Sequence, residues 1–420
     1  MQKNKKMMHF KMGIAAVFLI TGLSGCQRNT SQSEKERQEN TKKMEDYASG
    51  TFGYDLSFLK ERDSLVILRN KAGNAQLIVS PKYQAKVFTS TADGNEGKSF
   101  GWINYKAFDK QDNHMNAYGG EDRLWLGPEG GKFSVFFKPG TKMDFDNWHT
   151  PPAIDSEPWD LIASSEKVAE LSKETAITNY AGTPLTIHLR RKIEVLEDDA
   201  IENKLAIKLS ENIKGVGFKT TNTIRNNGNN VWDRKNGAPC LWSLDMFMPT
   251  PQTVIIIPYQ EKGSGKIATT DYFGEIAKDR IAYKNGVLLL KADGKSRGKL
   301  GIPPLRAKPV AGSYAADTKV LTITYFDVHK EGTYLNQEWT PDKDPFSGDA
   351  MNAYNDGPLA DGSQMGPFYE IESVSPATFL KPKEEMSHQH YVFHFTGNEQ
   401  ALDEIARKVL GISLKETKIN

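Results

Sequence analysis

Leu185-Thr186-Ile187-His188-Leu189-Arg190-Arg191-Lys192-Ile193-Glu194-Val195 decides the fold class, because Leu185, Ile187, Leu189, Arg191, Ile193 and Val195 share one parity. Side chains of a strand alternate between its faces, so this spacing predicts a strand with one buried side. Asn203, Leu205, Ile207 and Leu209 keep the spacing and predict a second strand. Outward from these, runs bounded by Gly, Pro, Asn and Asp predict strands at 65–68, 75–79, 85–89, 133–138, 253–258, 320–327, 368–373 and 389–395. Helical spacing is confined to the C-terminus, where Leu402, Ile405, Ala406 and Val409 form a stripe. Thr396 with Glu399 marks its start and Gly411 its stop. Many short strands with one late helix predict an all-β protein, an antiparallel sandwich. No repeat, linker or composition break divides the chain, so one domain is expected over 49–420.

The 420 residues are 38% hydrophobic and 25% charged with a formal net charge of +1, which suits an ordered globular chain. That balance excludes a broad polyanion-binding surface, and no nucleic-acid partner is expected. The leader reads differently. Lys3, Lys5, Lys6 and Lys11 precede an apolar run too short to span a bilayer, and Leu23-Ser24-Gly25-Cys26 follows. These parts in this order resemble the lipobox of bacterial lipoproteins, which implies a signal peptide over 1–25 and lipidation of Cys26. Membrane anchoring through Cys26 is therefore expected. Gln27 after it resembles lipoproteins sent to the outer membrane, which implies an anchor in the cell envelope on its periplasmic side. Residues 26–48 are polar and predict a disordered tether. The other thiol, Cys240, lies among Pro239, Leu241 and Trp242 and reads as a small buried hydrophobe.

Four constellations could carry chemistry. In 118–131, two glycine pairs and Pro128 let a tight turn present Arg123, Trp125 and Glu129 together. An aromatic face beside a guanidinium and a carboxylate suits a sugar, whose C–H face stacks while its hydroxyls are bridged. The same residues could equally pin the loop by an Arg–Glu pair. Glu370 and Glu372 share a strand face with Cα atoms on the order of 6–7 Å apart. Either one carboxyl holds a proton while the other acts as base, or both sit on an exposed polar face. His388, His390 and His394 share a parity opposite Tyr391, Phe393 and Phe395. His394 lies too far along for a common ion, leaving His388 or His390 as an acid or hydrogen-bond donor, or a solvated polar face. The acid- and amide-rich loop from Asn336 to Gly366 lacks the EF-hand pattern. It reads as a pocket rim with Tyr354 and Asn355 facing a polar ligand. Trp242, Asp245 and Asn222 could line a site or pack. No metal and no cofactor is expected, and no GxSxG, P-loop, HExxH or GxGxxG motif supports other chemistries.

Gly119-Gly120-Glu121-Asp122-Arg123-Leu124-Trp125 with Pro128-Glu129 resembles the signature of bacterial galactose mutarotase-like proteins. Tyr369-Glu370-Ile371-Glu372-Ser373-Val374-Ser375-Pro376-Ala377, with Leu380-Lys381-Pro382 and His388, resembles that superfamily's closing segment. The resemblance covers most of 60–396 and implies a large antiparallel β-supersandwich with a mono- or oligosaccharide ligand. Aldose 1-epimerases of that fold use a late-strand Glu as base and a His as acid; Glu372 occupies the position resembling the Glu. Where they carry Thr-Asn-His, this chain has Thr221-Asn222-Thr223, and a threonine hydroxyl cannot donate a proton at a useful pKa. The expectation is a sugar-processing enzyme, epimerase-like or otherwise, with Glu372 or Glu370 as base and His388 or His390 replacing the acid. The alternative is a glycan-binding lipoprotein without catalysis.

Overall fold

A computed structural model describes residues 44–419; the leader, Cys26 and almost all of the tether lie outside the described residues. Met44 opens a compact unit that runs to the C-terminus. The first α-helix, α1 (Phe52–Lys60), is N-capped by the Thr51 hydroxyl and buries Phe52, Leu56 and Leu59. Strands β1 (Val66–Arg69), β2 (Gln76–Ser80) and β3 (Lys86–Thr91) form a three-stranded sheet under it.

The remaining strands form two sheets. In chain order they are β4 (Arg123–Gly127), β5 (Asp160–Ser164), β6 (Val168–Thr178), β7 (Pro184–Val195), β8 (Ile213–Asn226), β9 (Cys240–Phe247), β10 (Thr253–Pro258), β11 (Ile281–Lys284) and β12 (Val287–Lys291). They continue with β13 (Gly298–Ile302), β14 (Val310–Ala315), β15 (Val320–Phe326), β16 (Met351–Asn355), β17 (Tyr369–Val374) and β18 (Glu385–Gly397). Ten strands pair in the order β11-β12-β10-β14-β15-β18-β8-β7-β6-β5, and five in the order β13-β16-β17-β9-β4. The ladders of both sheets are antiparallel, so the all-β antiparallel class read from alternation holds. The inward residues of β7, Leu185, Ile187, Leu189 and Ile193, join Leu124, Leu126, Leu241 and Ile371 of the smaller sheet in the main core.

The outer face of the large sheet is covered by two helices. One, α2 (Asp198–Leu205), replaces the expected strand at 203–209. Asp198 and Asp199 fill its first turn, where carboxylates complement the positive helix end, and Ile201 and Leu205 bury at helical spacing. The other, α3 (Glu399–Leu410), is the expected C-terminal helix, capped by Gly411 at φ 73 but started by Asn398 rather than Thr396. Leu402, Ile405 and Leu410 pack with Phe393 and Phe395 of β18. That contact turns the opposite parity of β18, with its histidines, into the space between the two sheets. The expected strand at 133–138 makes no ladder; Phe133, Phe136 and Phe137 are buried from an irregular loop that the Ser134 hydroxyl ties to the Glu129 carbonyl. No described helix is long and apolar enough to cross a membrane.

Candidate functional site

The five-stranded sheet has one face against the large sheet and one outward, and parity assigns every side chain. On β17, Glu370 and Glu372 point outward while Ile371 and Ser373 point in. Register sets Tyr354 of β16 and Met246 of β9 beside Glu370, and Leu244 between Glu372 and Arg123. Lys299 of β13 pairs with Tyr354, and Trp125 of β4 with Trp242. Arg123, Trp125, Trp242, Leu244, Met246, Lys299, Tyr354 and Glu370 floor a pocket of about 680 Å³ of empty space, part of it open solvent, walled by Phe145, Trp148, Phe273, Trp339 and Phe368 from loops.

Two glycines make the walls. Gly119, at φ 86, packs so that an added Cβ would lie 2.2 Å from the Trp102 carbonyl oxygen, so the turn feeding Arg123 into the pocket admits no side chain. At Gly130 a Cβ would lie 2.2 Å from the Glu338 oxygen. That close approach seats Trp339 beside Glu129, whose carboxylate accepts a hydrogen bond from it.

Two ion pairs lie at the pocket floor. Arg123 Nη2 donates to Glu370 Oε1 at 2.6 Å, with both residues buried, and the guanidinium lies 4.8 Å from the Trp125 ring centroid. Lys299 Nζ lies 3.2 Å from Glu372 Oε2, which also accepts from Trp242 Nε1 at 2.9 Å. Burial and the neighbouring Glu372 push Glu370 up to about 7 against the pull of Arg123 and Lys299. Desolvation likewise raises Glu129, opposed by Lys299, the Trp339 hydrogen bond and Arg297. Burial disfavours charge on Lys299, yet Glu372, Glu129 and Glu370 outweigh it and hold its pKa above the ordinary value. The pocket thus offers two carboxyls whose pKa values are raised, Glu370 to about 7, beside fixed cations and flat aromatic faces.

Of the residues singled out in the sequence, the pocket gathers Arg123, Trp125, Glu129, Trp242, Tyr354 and Glu370. Glu372 sits just beneath, fully buried under Trp242 and Lys299. Five residues face elsewhere. Asp245 is three positions from Trp242 and Asn355 one from Tyr354, so on a strand neither can share its partner's face. Asn355 instead pins a loop through Ser296 O and Gly294 N–H. Asn222 accepts from Arg191 Nη1 at 3.0 Å and donates to Ser243 Oγ at 3.2 Å between the sheets.

His388 and His390 are sealed in that same layer, fully buried rather than on a solvated face, so neither is placed to replace the missing acid. Ser373 Oγ lies 2.9 Å from both His388 Nε2 and His390 Nδ1, and His390 Nε2 lies 2.8 Å from Asp245 Oδ2. His394 Nε2 lies 3.0 Å from Glu121 Oε1. Among the described residues no group of three or more His, Cys, Asp or Glu is placed to hold a metal ion. Burial pushes the Cys240 thiol up to about 12, which suits a packing role.

Sequence reasoning missed Lys299, Arg297 and Trp148 as pocket residues, while Trp339 lies in the loop read as a pocket rim. The alternation of Arg297 and Lys299 about Gly298 was a usable signal; Trp148 offered only its rarity.

Together these features define an antiparallel β-sandwich protein with an aromatic, ion-paired pocket on the outer face of its smaller sheet. The chain belongs to the family described as "Family of unknown function (DUF6786)", whose model matches residues 50–420. No curated protein matches it. Among solved structures it is similar to the Slr1438 protein of Synechocystis sp. PCC 6803, at 13% identity and TM-score 0.49 over 80% of this chain and 97% of that one. It is also similar to a galactose mutarotase-like protein of Lactobacillus casei ATCC 334, at 11% identity and TM-score 0.46 over 79% and 100%. A galactose mutarotase related enzyme of Lactobacillus acidophilus matches at 10% identity and TM-score 0.42 over 80% and 97%. Likenesses of this order say nothing of chemistry, which has to come from this chain's own side chains.

Proposed function

We propose that the protein binds a saccharide in the pocket above β17 and acts on it by carboxylate acid–base chemistry. The observation that carries this is the Arg123–Glu370 pair at 2.6 Å in a pocket that also holds Trp125, Trp148, Trp242 and Trp339. Indole faces stack on the apolar face of a pyranose, and the charged groups bridge its hydroxyls. Glu370, rather than the sealed Glu372, is the base, because it lines the pocket and titrates near neutrality. Glu129, whose pKa is also raised, stands in for the acid that the sealed imidazoles cannot supply. In an anomer exchange Glu370 takes the proton of the anomeric hydroxyl as the ring C–O bond breaks. Glu129 gives its proton to the ring oxygen. The leader supports a lipid anchor at Cys26 and a place in the cell envelope, on the periplasmic side of the outer membrane.

Glu370→Gln should retain binding of an aldose by calorimetry and lose anomer exchange measured by NMR line exchange. Unchanged exchange overturns Glu370 as base. One observation favours a binding module without catalysis: Glu370 and Glu372 are each already engaged by a cation. Binding by the unaltered protein without exchange or bond cleavage across a sugar panel would establish that alternative.

A further inference from the structure

We propose that the saccharide is anionic, and that Arg297 at the pocket mouth holds its carboxylate or sulfate group. This rests on the saccharide assignment above and names the class of sugar. The cations of the pocket are not equivalent. Arg123 and Lys299 face Glu370 and Glu372 at 2.6 and 3.2 Å, so their charge is met inside the protein. Arg297 is exposed yet lines the same pocket, two residues before Lys299 on the same parity. Among the described residues no carboxylate oxygen forms an ion pair with its guanidinium, which lies 3.9 Å from the Phe273 ring centroid and reaches the Tyr354 hydroxyl. Asp356, one residue past the end of β16, is buried and committed, accepting from Tyr354 Oη at 3.0 Å and from the Gly366 N–H at 2.8 Å. Glu129 feels the charge of Arg297 across the pocket, but its raised pKa weakens it as a counter-ion.

A guanidinium laid on an aromatic ring is already oriented, so little side-chain entropy is lost when a planar anion docks on its fork. A neutral sugar would leave that fork to water. A uronate carboxylate or a sulfate ester would match its charge and at least one pair of its donors. Arg123, Glu370 and Lys299 meanwhile line the pocket and remain available for hydroxyls, which separates recognition of the charged substituent from handling of the ring.

Calorimetry with glucose, glucuronate and glucose 6-sulfate tests this on the unaltered protein and on Arg297→Gln and Arg297→Lys. The expected result is at least tenfold tighter binding of an acidic sugar than of glucose, with the ratio collapsing toward one in Arg297→Gln and partly kept in Arg297→Lys. The preference should also shrink between 50 mM and 500 mM salt, because a charge at the mouth is screened. Which acidic sugar binds tighter identifies the group as carboxylate or sulfate. Equal affinity for glucose and both acidic sugars, or a preference that survives Arg297→Gln, overturns the proposal and leaves saccharide binding standing. Failure of all three, and of galactose and galacturonate added to the panel, overturns both.

Discussion

The two faces of the five-stranded sheet carry similar residue types and opposite lives. Outward, Glu370 and Glu372 meet Arg123 and Lys299; inward, Asp245 meets His390 and Ser373 links His390 to His388. The inner set has the outline of a relay. His388 is pushed down to about 3 by burial and among the described residues its Nδ1 has no hydrogen-bond partner, so its proton sits on Nε2 and is donated to Ser373 Oγ. Ser373 can then donate to His390 Nδ1, and His390 Nε2–H to Asp245, giving each bond one donor. Every member, however, is fully buried between the sheets. Perturbed titration therefore marks both faces, while access marks only the outer one as a place for chemistry.

The sharpest break between the faces is expected at Arg191, fully buried and 2.9 Å from the equally buried Asp122. Arg191→Met strands that carboxylate in the interior and should cost about 3–5 kcal/mol of unfolding free energy in urea titration. A loss under 1 kcal/mol would show that the inner charges are not structural. On the outer face the half-buried Glu129 should behave inversely. Glu129→Gln is expected to lower turnover about 100-fold, roughly 2.7 kcal/mol in the barrier, with unfolding shifted by less than 1 kcal/mol. If stability falls and turnover does not, the two faces have been assigned the wrong way round.

A smaller effect comes from Lys86, buried beside the inner layer and donating to Gly119 O at 3.1 Å. Burial, reinforced by Arg123, pushes it down to about 7. Unfolded, it keeps its proton to about 10.4, so between pH 7 and that value the unfolded chain binds more protons than the native one. Stability linked to Lys86 therefore rises with pH, by roughly 1.4 kcal/mol per unit at most. The difference in unfolding free energy between the natural protein and Lys86→Met should move by about 1.6 kcal/mol from pH 7.0 to 8.5. A flat difference would mean that Lys86 stays charged in the fold.

How much of this was legible follows from the physics of each signal. Alternation in 185–195 was decisive because β7 is buried on one face only, even to Arg191. It failed at 203–209, where Leu205 and Ile207 mimic a strand while two aspartates in the first turn and Ile201 make a helix. For the site, parity correctly paired Glu370 with Glu372 and His388 with His390. What parity cannot say is which face meets another sheet; that is set by helix α3 covering Phe393 and Phe395, a contact remote in sequence. The same rule, applied strictly, would have separated Trp242 from Asp245 and Tyr354 from Asn355. Trp148 was out of reach because loops carry no period, whereas Trp339 came within the loop read as a pocket rim from its acids and amides.

Trp148 offers the finest test of the outer face, because it joins the pocket from a loop rather than from the sheet. It stacks on Phe136 at 5.8 Å and 8° and on Trp339 at 5.8 Å and 22°, so its plane is fixed before any ligand arrives. A preset ring adds stacking without an ordering cost, and aromatic pairs of this kind contribute about 0.5–1.5 kcal/mol. Trp148→Ala should therefore weaken saccharide binding between about twofold and twelvefold in calorimetry, acidic and neutral sugars alike. Trp148→Phe, which keeps a flat face, should recover most of the loss. Because Arg297 acts on charge and Trp148 on the sugar ring, a Trp148→Ala variant that changed the acidic-to-neutral ratio would place the anion against the wrong wall. An unchanged ratio with lower affinity throughout would keep ring and charge recognition on separate sides of the pocket.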